Sequence, residues 1–158
     1  MKKLLIRKCK IKDSLTILKI FNESVNKGLT GTRKKIKYLA HQKWFLQKMQ
    51  SNRDFIFIGE FGGEIIGYVR FDNIYFNQCE ISIGLKNRFI KKGFGSKLLK
   101  RSISKLKNII NIKSIKSRVK KKNIRSINFF IKNNFKEIVS KEKDKDKENY
   151  RYFSIFVR

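Results

Sequence analysis

The chain has 158 residues, and its 40 Lys and Arg against 12 Asp and Glu give a formal charge of +28. That length supports one hydrophobic core rather than two, so a single domain over residues 1–158 is expected. No run approaches the roughly 20 apolar residues of a membrane span, and the opening MKKLLIRKCKIKD lacks an apolar stretch of signal-peptide length, so the expected location is cytoplasmic.

LLIRKCKI alternates as a first strand, after which Asp13 or Ser14 is placed to cap a helix with Leu15, Leu18 and Phe21 on one face. A second helix is expected over roughly Lys35 to Gln50, with Leu39, Trp44, Phe45 and Met49 as its apolar set and Tyr38 beside them. DFIFIGEF and EIIGYVRFDN read as two strands joined across Gly62-Gly63. QCEISIGL is another strand, followed by a glycine loop and a helix from about Gly95 to Leu106. IKSIKSRVK is a strand, and IRSINFFIKNN is a helix with Ile127, Phe130 and Ile131 on one side. FKEIVS and YRYFSIFVR are the last strands, and SKEKDKDKENY between them, with alternating charges, is expected to be a long exposed hairpin loop. The order is β-α-α-β-β-β-α-β-α-β-β, whose natural packing is a mixed, mostly antiparallel sheet with helices on both faces.

Cys9 and Cys79 are too few for a disulfide framework and lack metal-ligand spacing, with only His41 to help. They read as reduced core thiols, and no metal is expected. The positive charge is mostly Lys and is spread along the whole length, in a chain that lacks Pro and is rich in Lys, Ile and Asn. This pattern reads as compositional drift of an AT-rich coding sequence on solvated faces. A basic nucleic-acid-binding module would instead need clustered Arg and aromatics. The charge nevertheless attracts acidic ligands.

The glycine loop RFIKKGFGSKLLK carries the chemistry. Gly93 and Gly95 allow a tight turn in which successive amide N–H groups converge at the mouth of a helix, with Lys91 and Lys92 adding full charges. Such a nest suits a pyrophosphate. A strand-to-helix turn also uses glycine for steric reasons alone. No Gly-Lys-Ser/Thr follows at P-loop spacing, and the third glycine of a dinucleotide fingerprint is missing.

IKKGFGSKLL resembles the R/Q-x-x-G-x-G/A loop of the GNAT superfamily of acetyl-CoA-dependent N-acetyltransferases. NIRSINFFIKNNF, about thirty residues on, resembles that family's second signature, N-x-x-S/A-x-x-x-(Y/F)-x-K-x-G-F. The resemblance covers the C-terminal half. It implies an α/β (α+β) GNAT fold with a seven-stranded sheet and acetyl-CoA as cosubstrate. Lys91, Lys92, Gly93, Phe94, Gly95 and Ser96 would lie at the diphosphate. Backbone groups of Ile83, Gly84 and Leu85 would lie along the pantetheine arm, where two strands splay, and Asn123 would face them. Ile90 stands where the family most often has Arg or Gln, and Asn134 where it has Gly. Phe130 stands where many members carry a Tyr that protonates the leaving thiolate.

Glu80 falls at about the place where several members carry a base. Alternation puts Glu80 and Ser82 on one face of the strand, with Ile81 and Ile83 on the other. A lone Glu in an apolar strand is expected to be desolvated, with a raised pKa suited to a base. The bland readings are a half-exposed strand glutamate or an ion pair with Arg70. The oxyanion donor would be a backbone N–H near Leu85.

On the acceptor side, HQKWF, IIGYVRFDN and CEISIGL occur in succession, as in the amino-sugar N-acetyltransferases of nonulosonic-acid pathways, which the chain resembles there. This resemblance implies a UDP-linked 4-amino-4,6-dideoxy sugar as acceptor, met by His41, Trp44 and Arg70. Core packing is the favoured reading of Trp44 and Phe45, and a surface or packing role for His41 stands beside the substrate one. Protein N-terminal or ribosomal-protein acetylation is the alternative enzyme reading. The sequence does not fix an oligomeric state, although the apolar last strand YFSIFV could pair with a second copy in a homodimer.

Overall fold

The computed structural model describes residues 3–32, 34–139 and 147–157. Its elements are β1 (Leu4–Lys8), α1 (Ser14–Asn26), α2 (Tyr38–Gln50), β2 (Phe55–Phe61), β3 (Glu64–Tyr75), β4 (Gln78–Leu85), α3 (Phe94–Lys107), β5 (Ser114–Lys120), α4 (Ile124–Lys132), β6 (Lys136–Ile138) and β7 (Tyr150–Phe156). They occur in the expected order. The sheet runs β1-β2-β3-β4-β5-β7-β6, and every pairing is antiparallel except that of β4 with β5. Among the described residues no helix is long and apolar enough to cross a membrane.

Strand alternation divides the core in two. Phe57, Val69, Phe71 and Ile81 point to the face covered by α3 and α4, where they meet Leu98, Leu99, Ile127 and Phe130. Ile56, Ile58 and Tyr68 point to the other face, where Ile17 and Ile20 of α1 and Phe45 of α2 cover them. The thiols of Cys9 and Cys79 are free and buried, and desolvation pushes each up to about 12.

Three helix faces are turned from their expected positions. In α1 the buried set is Ile17, Leu18, Ile20 and Val25, whereas Leu15 is exposed. Leu39 of α2 is 80% exposed, and Ile131 of α4 lies outside the stripe of Ile127 and Phe130. Helix α2 starts at Tyr38 rather than Lys35, because Asn22 holds Ile36 by two hydrogen bonds, one to its carbonyl (3.0 Å) and one from its N–H (2.9 Å). Asp13 does not cap α1 with its side chain. Its carboxylate turns back to accept from the Lys10 N–H (2.7 Å) and from both terminal nitrogens of Arg7 (2.6 and 2.9 Å). Burial alone would raise the Asp13 carboxyl, but the Arg7 guanidinium and the Lys10 N–H hold it below its ordinary value. Most of the expected charged hairpin loop lies outside the described residues. Its last part, Lys147–Asn149, is a short 3-10 turn leading into β7.

Candidate active site

β4 and β5 stay paired over only three positions, Gln78 with Ser114, Cys79 with Ile115 and Glu80 with Lys116. Beyond them β4 remains in register with β3 up to Leu85, and β5 remains with β7 up to Lys120. Each strand therefore keeps its antiparallel partner while the two inner edges separate. A cavity of about 600 Å³ occupies this wedge, bounded by Ile83, Gly84 and Leu85 on one side and by Val119, Lys120 and Asn123 on the other.

At the wide end lies the glycine loop. Gly93 has φ +79°, a left-handed conformation costly for other residues, and it ends the turn as the residue before α3. No atom lies within 4 Å of where a Cβ on Gly93 would stand, so the loop is open toward the cavity at that point. Gly95 serves packing: a Cβ there would meet the Phe129 ring at 3.0 Å and Leu85 at 3.3 Å. Among the described residues nothing accepts from the N–H groups of Gly93, Phe94, Gly95 or Ser96. These free donors, at the positive end of the α3 dipole, form an anion cradle.

Lys91 and Ser96 line the same cavity, but Lys92 does not. The Phe94 side chain instead anchors the loop, packing edge-on against Phe61 (4.8 Å between centroids) and Phe89 (5.5 Å). Asn123 lines the cavity with a side chain committed within the protein. Its oxygen accepts from the Ser126 N–H (3.1 Å), capping α4, and its amide donates to the Leu29 carbonyl (3.3 Å). Phe130 also reaches the cavity, yet it is buried, stacked on Phe153 (6.3 Å) and edge-on to Phe135 (5.0 Å).

The rest of the cavity wall belongs to the sheet face shared with α1. Glu80 lies there, at the point where β4 and β5 part, between Asp72 of β3 and Lys116 of β5. Its side chain is exposed rather than enclosed by apolar neighbours. Nor does it pair with Arg70. That guanidinium donates through Nε to Asp72 (2.5 Å), lies over the Trp44 ring at 4.9 Å and touches Ser82 Oγ at 3.5 Å. Asp72 is buried and in turn meets the Lys48 ammonium (3.0 Å), which also bonds Asp54 (2.7 Å). Arg70 is thus braced from below and behind and faces the cavity.

His41 is not brought to the cavity. It is buried with 3% exposure, bonds the Ser14 carbonyl through Nε2 (3.0 Å) and stacks on Phe45 (5.7 Å between centroids). Burial holds its pKa below the ordinary histidine value against the opposing pull of the Ser14 carbonyl, with Arg70 lowering it further. Trp44 likewise stands outside the cavity lining and acts as the floor under Arg70.

Residues that sequence reasoning missed complete the wall: Leu29, Thr30, Gly31 and Thr32 between α1 and α2, Arg118 on β5, and Tyr150 at the start of β7. Arg118 stacks over the Tyr150 ring at 4.4 Å. The signals available were the small-residue run GLTGT between two helices and the position of Arg118, one strand step beyond Lys116 on the Glu80 face.

The model of the Acetyltransferase (GNAT) family matches residues 19–135, most of the chain, and the chain belongs to that family. Three solved structures show the same fold. A domain from Methanocaldococcus jannaschii DSM 2661 superposes with a TM-score of 0.81 at 21% identity, covering 99% of this chain and 100% of that one. The ribosomal-protein-alanine N-acetyltransferase of Brucella melitensis gives 0.80 at 15%, covering 97% and 99%. The structure of yncA from Salmonella typhimurium with its cofactor acetyl-CoA gives 0.78 at 17%, covering 98% and 94%. No curated protein sequence matches the chain. The molecule is an acetyl-CoA-dependent GNAT N-acetyltransferase, and the wedge with its cradle of free N–H groups fits a diphosphate-bearing cosubstrate whose arm runs between strands.

Proposed function

We propose that the acceptor is a primary amine on a small anionic molecule, and specifically a nucleotide-linked amino sugar. The observation that carries this reading is the charge of the acceptor wall. Arg70 and Arg118 stand on either side of the wedge, on the same sheet face, and Glu80 is the only carboxylate among the described lining residues. A polycationic amine would be repelled by such a wall, whereas a phosphate-bearing one is drawn to it. Braced by Asp72 and Trp44, Arg70 presents its planar fork at little entropic cost, which suits phosphate recognition.

In this reading the cradle before α3 holds the diphosphate and the inner edge of β4 aligns the arm, with a backbone N–H near Leu85 polarising the thioester carbonyl. The amine nitrogen attacks the carbonyl carbon, the C–S bond breaks, and the nitrogen's proton passes to Glu80, directly or through water. Phe130 has no proton to give the departing sulfur, which takes one from solvent. Attack is direct, since neither cysteine lines the cavity and both thiols are buried and pushed up to about 12.

The test is CoA release from acetyl-CoA with a panel of UDP-amino sugars, an alanine-headed peptide and spermidine. Acetylation of a UDP-amino sugar is expected. Turnover of spermidine or the peptide, with none of the sugars, would refute the proposal.

A further inference from the structure

Past its last rung with β5, strand β4 still holds β3, and the register fixes which way its amides point. The Lys86 N–H donates to the Ile66 carbonyl (2.9 Å), so Gly84, two residues back and opposite Tyr68, also turns its N–H to β3. By alternation the N–H groups of Ile83 and Leu85 face the other edge, where β5 has already parted. Over Gly84 lies the ring of Tyr68. A Cβ on Gly84 would stand 2.6 Å from ring carbon Cε1 and 2.9 Å from Cζ, the carbon that bears the hydroxyl. The phenol therefore reaches across β4 because Gly84 has no side chain, and Ile20 of α1, 3.0 Å from the same point, holds the ring from the helix side. Tyr68 is 5% exposed and lines the cavity. Among the described residues nothing bonds its hydroxyl. A nearly buried hydroxyl without a partner adds nothing to the fold, so its place calls for a ligand.

We propose that Tyr68 is a catalytic residue, the second donor of the oxyanion hole: its hydroxyl bonds the thioester carbonyl oxygen from the α1 face, while a wedge-facing N–H of β4 bonds it from the sheet edge. As the amine nitrogen attacks, the carbonyl π pair moves onto oxygen, and both hydrogen bonds strengthen around the developing charge. The proton stays on the phenol throughout, and the carbonyl re-forms as the C–S bond breaks. Burial raises the Tyr68 pKa against the opposing pull of Arg70 and keeps the group a neutral donor. The proposal rests on the reading that the thioester lies against β4 near Leu85, and it does not depend on which amine is the acceptor.

Tyr68→Phe removes one oxygen and leaves the ring in place. Isotope-edited infrared spectra of bound acetyl-CoA, carrying a heavy-carbon label at its carbonyl, are compared between the two proteins, with calorimetric titration of CoA and melting curves alongside. The carbonyl band is expected at higher frequency in the variant. CoA affinity should stay within about twofold, and the melting temperature should be no lower than wild type. With any acceptor that the wild type turns over, kcat is expected to fall about 100-fold while the KM for acetyl-CoA stays within about threefold. Equal band positions or an unaffected kcat would overturn the proposal. So would a variant that fails to fold, because the hydroxyl would then be structural. The expected band shift, in a protein that acetylates no UDP-amino sugar, would refute the proposed acceptor and leave the donor standing.

Discussion

Replacing Gly93 with either Ala or Asn separates the shape of the anion cradle from the stability of the fold. The residue sits at φ +79° with open space on its Cβ side. Alanine there meets no steric neighbour but must hold a left-handed backbone, at a cost of about 1–2 kcal/mol. For a domain of this size that lowers the melting temperature by about 2–8 °C. Asparagine adopts the same conformation far more readily, so Gly93→Asn should melt closer to the wild type than Gly93→Ala. Its longer side chain would nevertheless fill the open space beside this cavity-lining residue, where in the proposed reading a diphosphate approaches the free N–H groups of Phe94, Gly95 and Ser96. Losing one charge-assisted contact removes about 1.5–3 kcal/mol, or about 10- to 150-fold in affinity. Calorimetric titration with CoA and a melting curve on each variant are the measurements. The expected pattern is an asparagine variant that is the more stable of the two yet binds CoA at least about tenfold more weakly than wild type. If it binds CoA within about twofold of wild type, the diphosphate does not lie against Gly93 and the cradle argument is wrong.

Asn123→Ala should remove the α4 cap and leave the Leu29 carbonyl without its donor, costing about 1–2 kcal/mol in chemical denaturation. An unchanged midpoint would mean that neither bond matters. Glu80→Gln should lower kcat about 100-fold with little change in the KM for acetyl-CoA, and an unaffected kcat would remove Glu80 as the base. Asp13 carries a pH dependence of known sign. Its folded-state pKa lies below the ordinary carboxylate value, so its contribution is fully present above about pH 4 and fades as the pH falls through the lower folded value. Asp13→Asn should therefore flatten the acid limb of the stability profile, measured by urea unfolding between pH 6 and 3. The same variant should lose on the order of 3 kcal/mol at neutral pH, because Arg7 loses a buried partner. A profile parallel to wild type would contradict the assignment.

Element order and the open glycine turn before α3 were legible in the sequence because both are local. Glycine spacing, helical periodicity and strand alternation act within a few residues of chain. What was not legible depended on a choice between partners of similar chemistry. Arg70 had Asp72 and Glu80 within reach, and it took Asp72, which lies two residues along the same strand on the same face and which Lys48 also holds. For His41 the sequence left substrate and packing roles open, and the Ser14 carbonyl of α1, which bonds it inside the core, decides for packing. Leu15, Leu39 and Ile131 misled for a related reason: in a short amphipathic helix one step of rotation exchanges two apolar residues, and only the facing surface decides which is buried. The segment from Lys27 to Thr32 has no periodicity, so its place in the cavity wall emerged only when Asn87, Asn123 and Tyr150 were seen to surround it.

With three rungs joining its two halves, the sheet is hinged where most sheets are seamless. Beyond that short seam the β1–β4 ribbon and the β5–β7 ribbon are bridged by helices and by the Lys27–Leu29 segment, not by their own inner edges. In the proposed reading, an amide-bearing arm laid between them would take the part of an eighth strand and join the halves. Because a ligand that binds only the folded state stabilises it by mass action, such an arm would raise the chain's resistance to unfolding as the cosubstrate concentration rises.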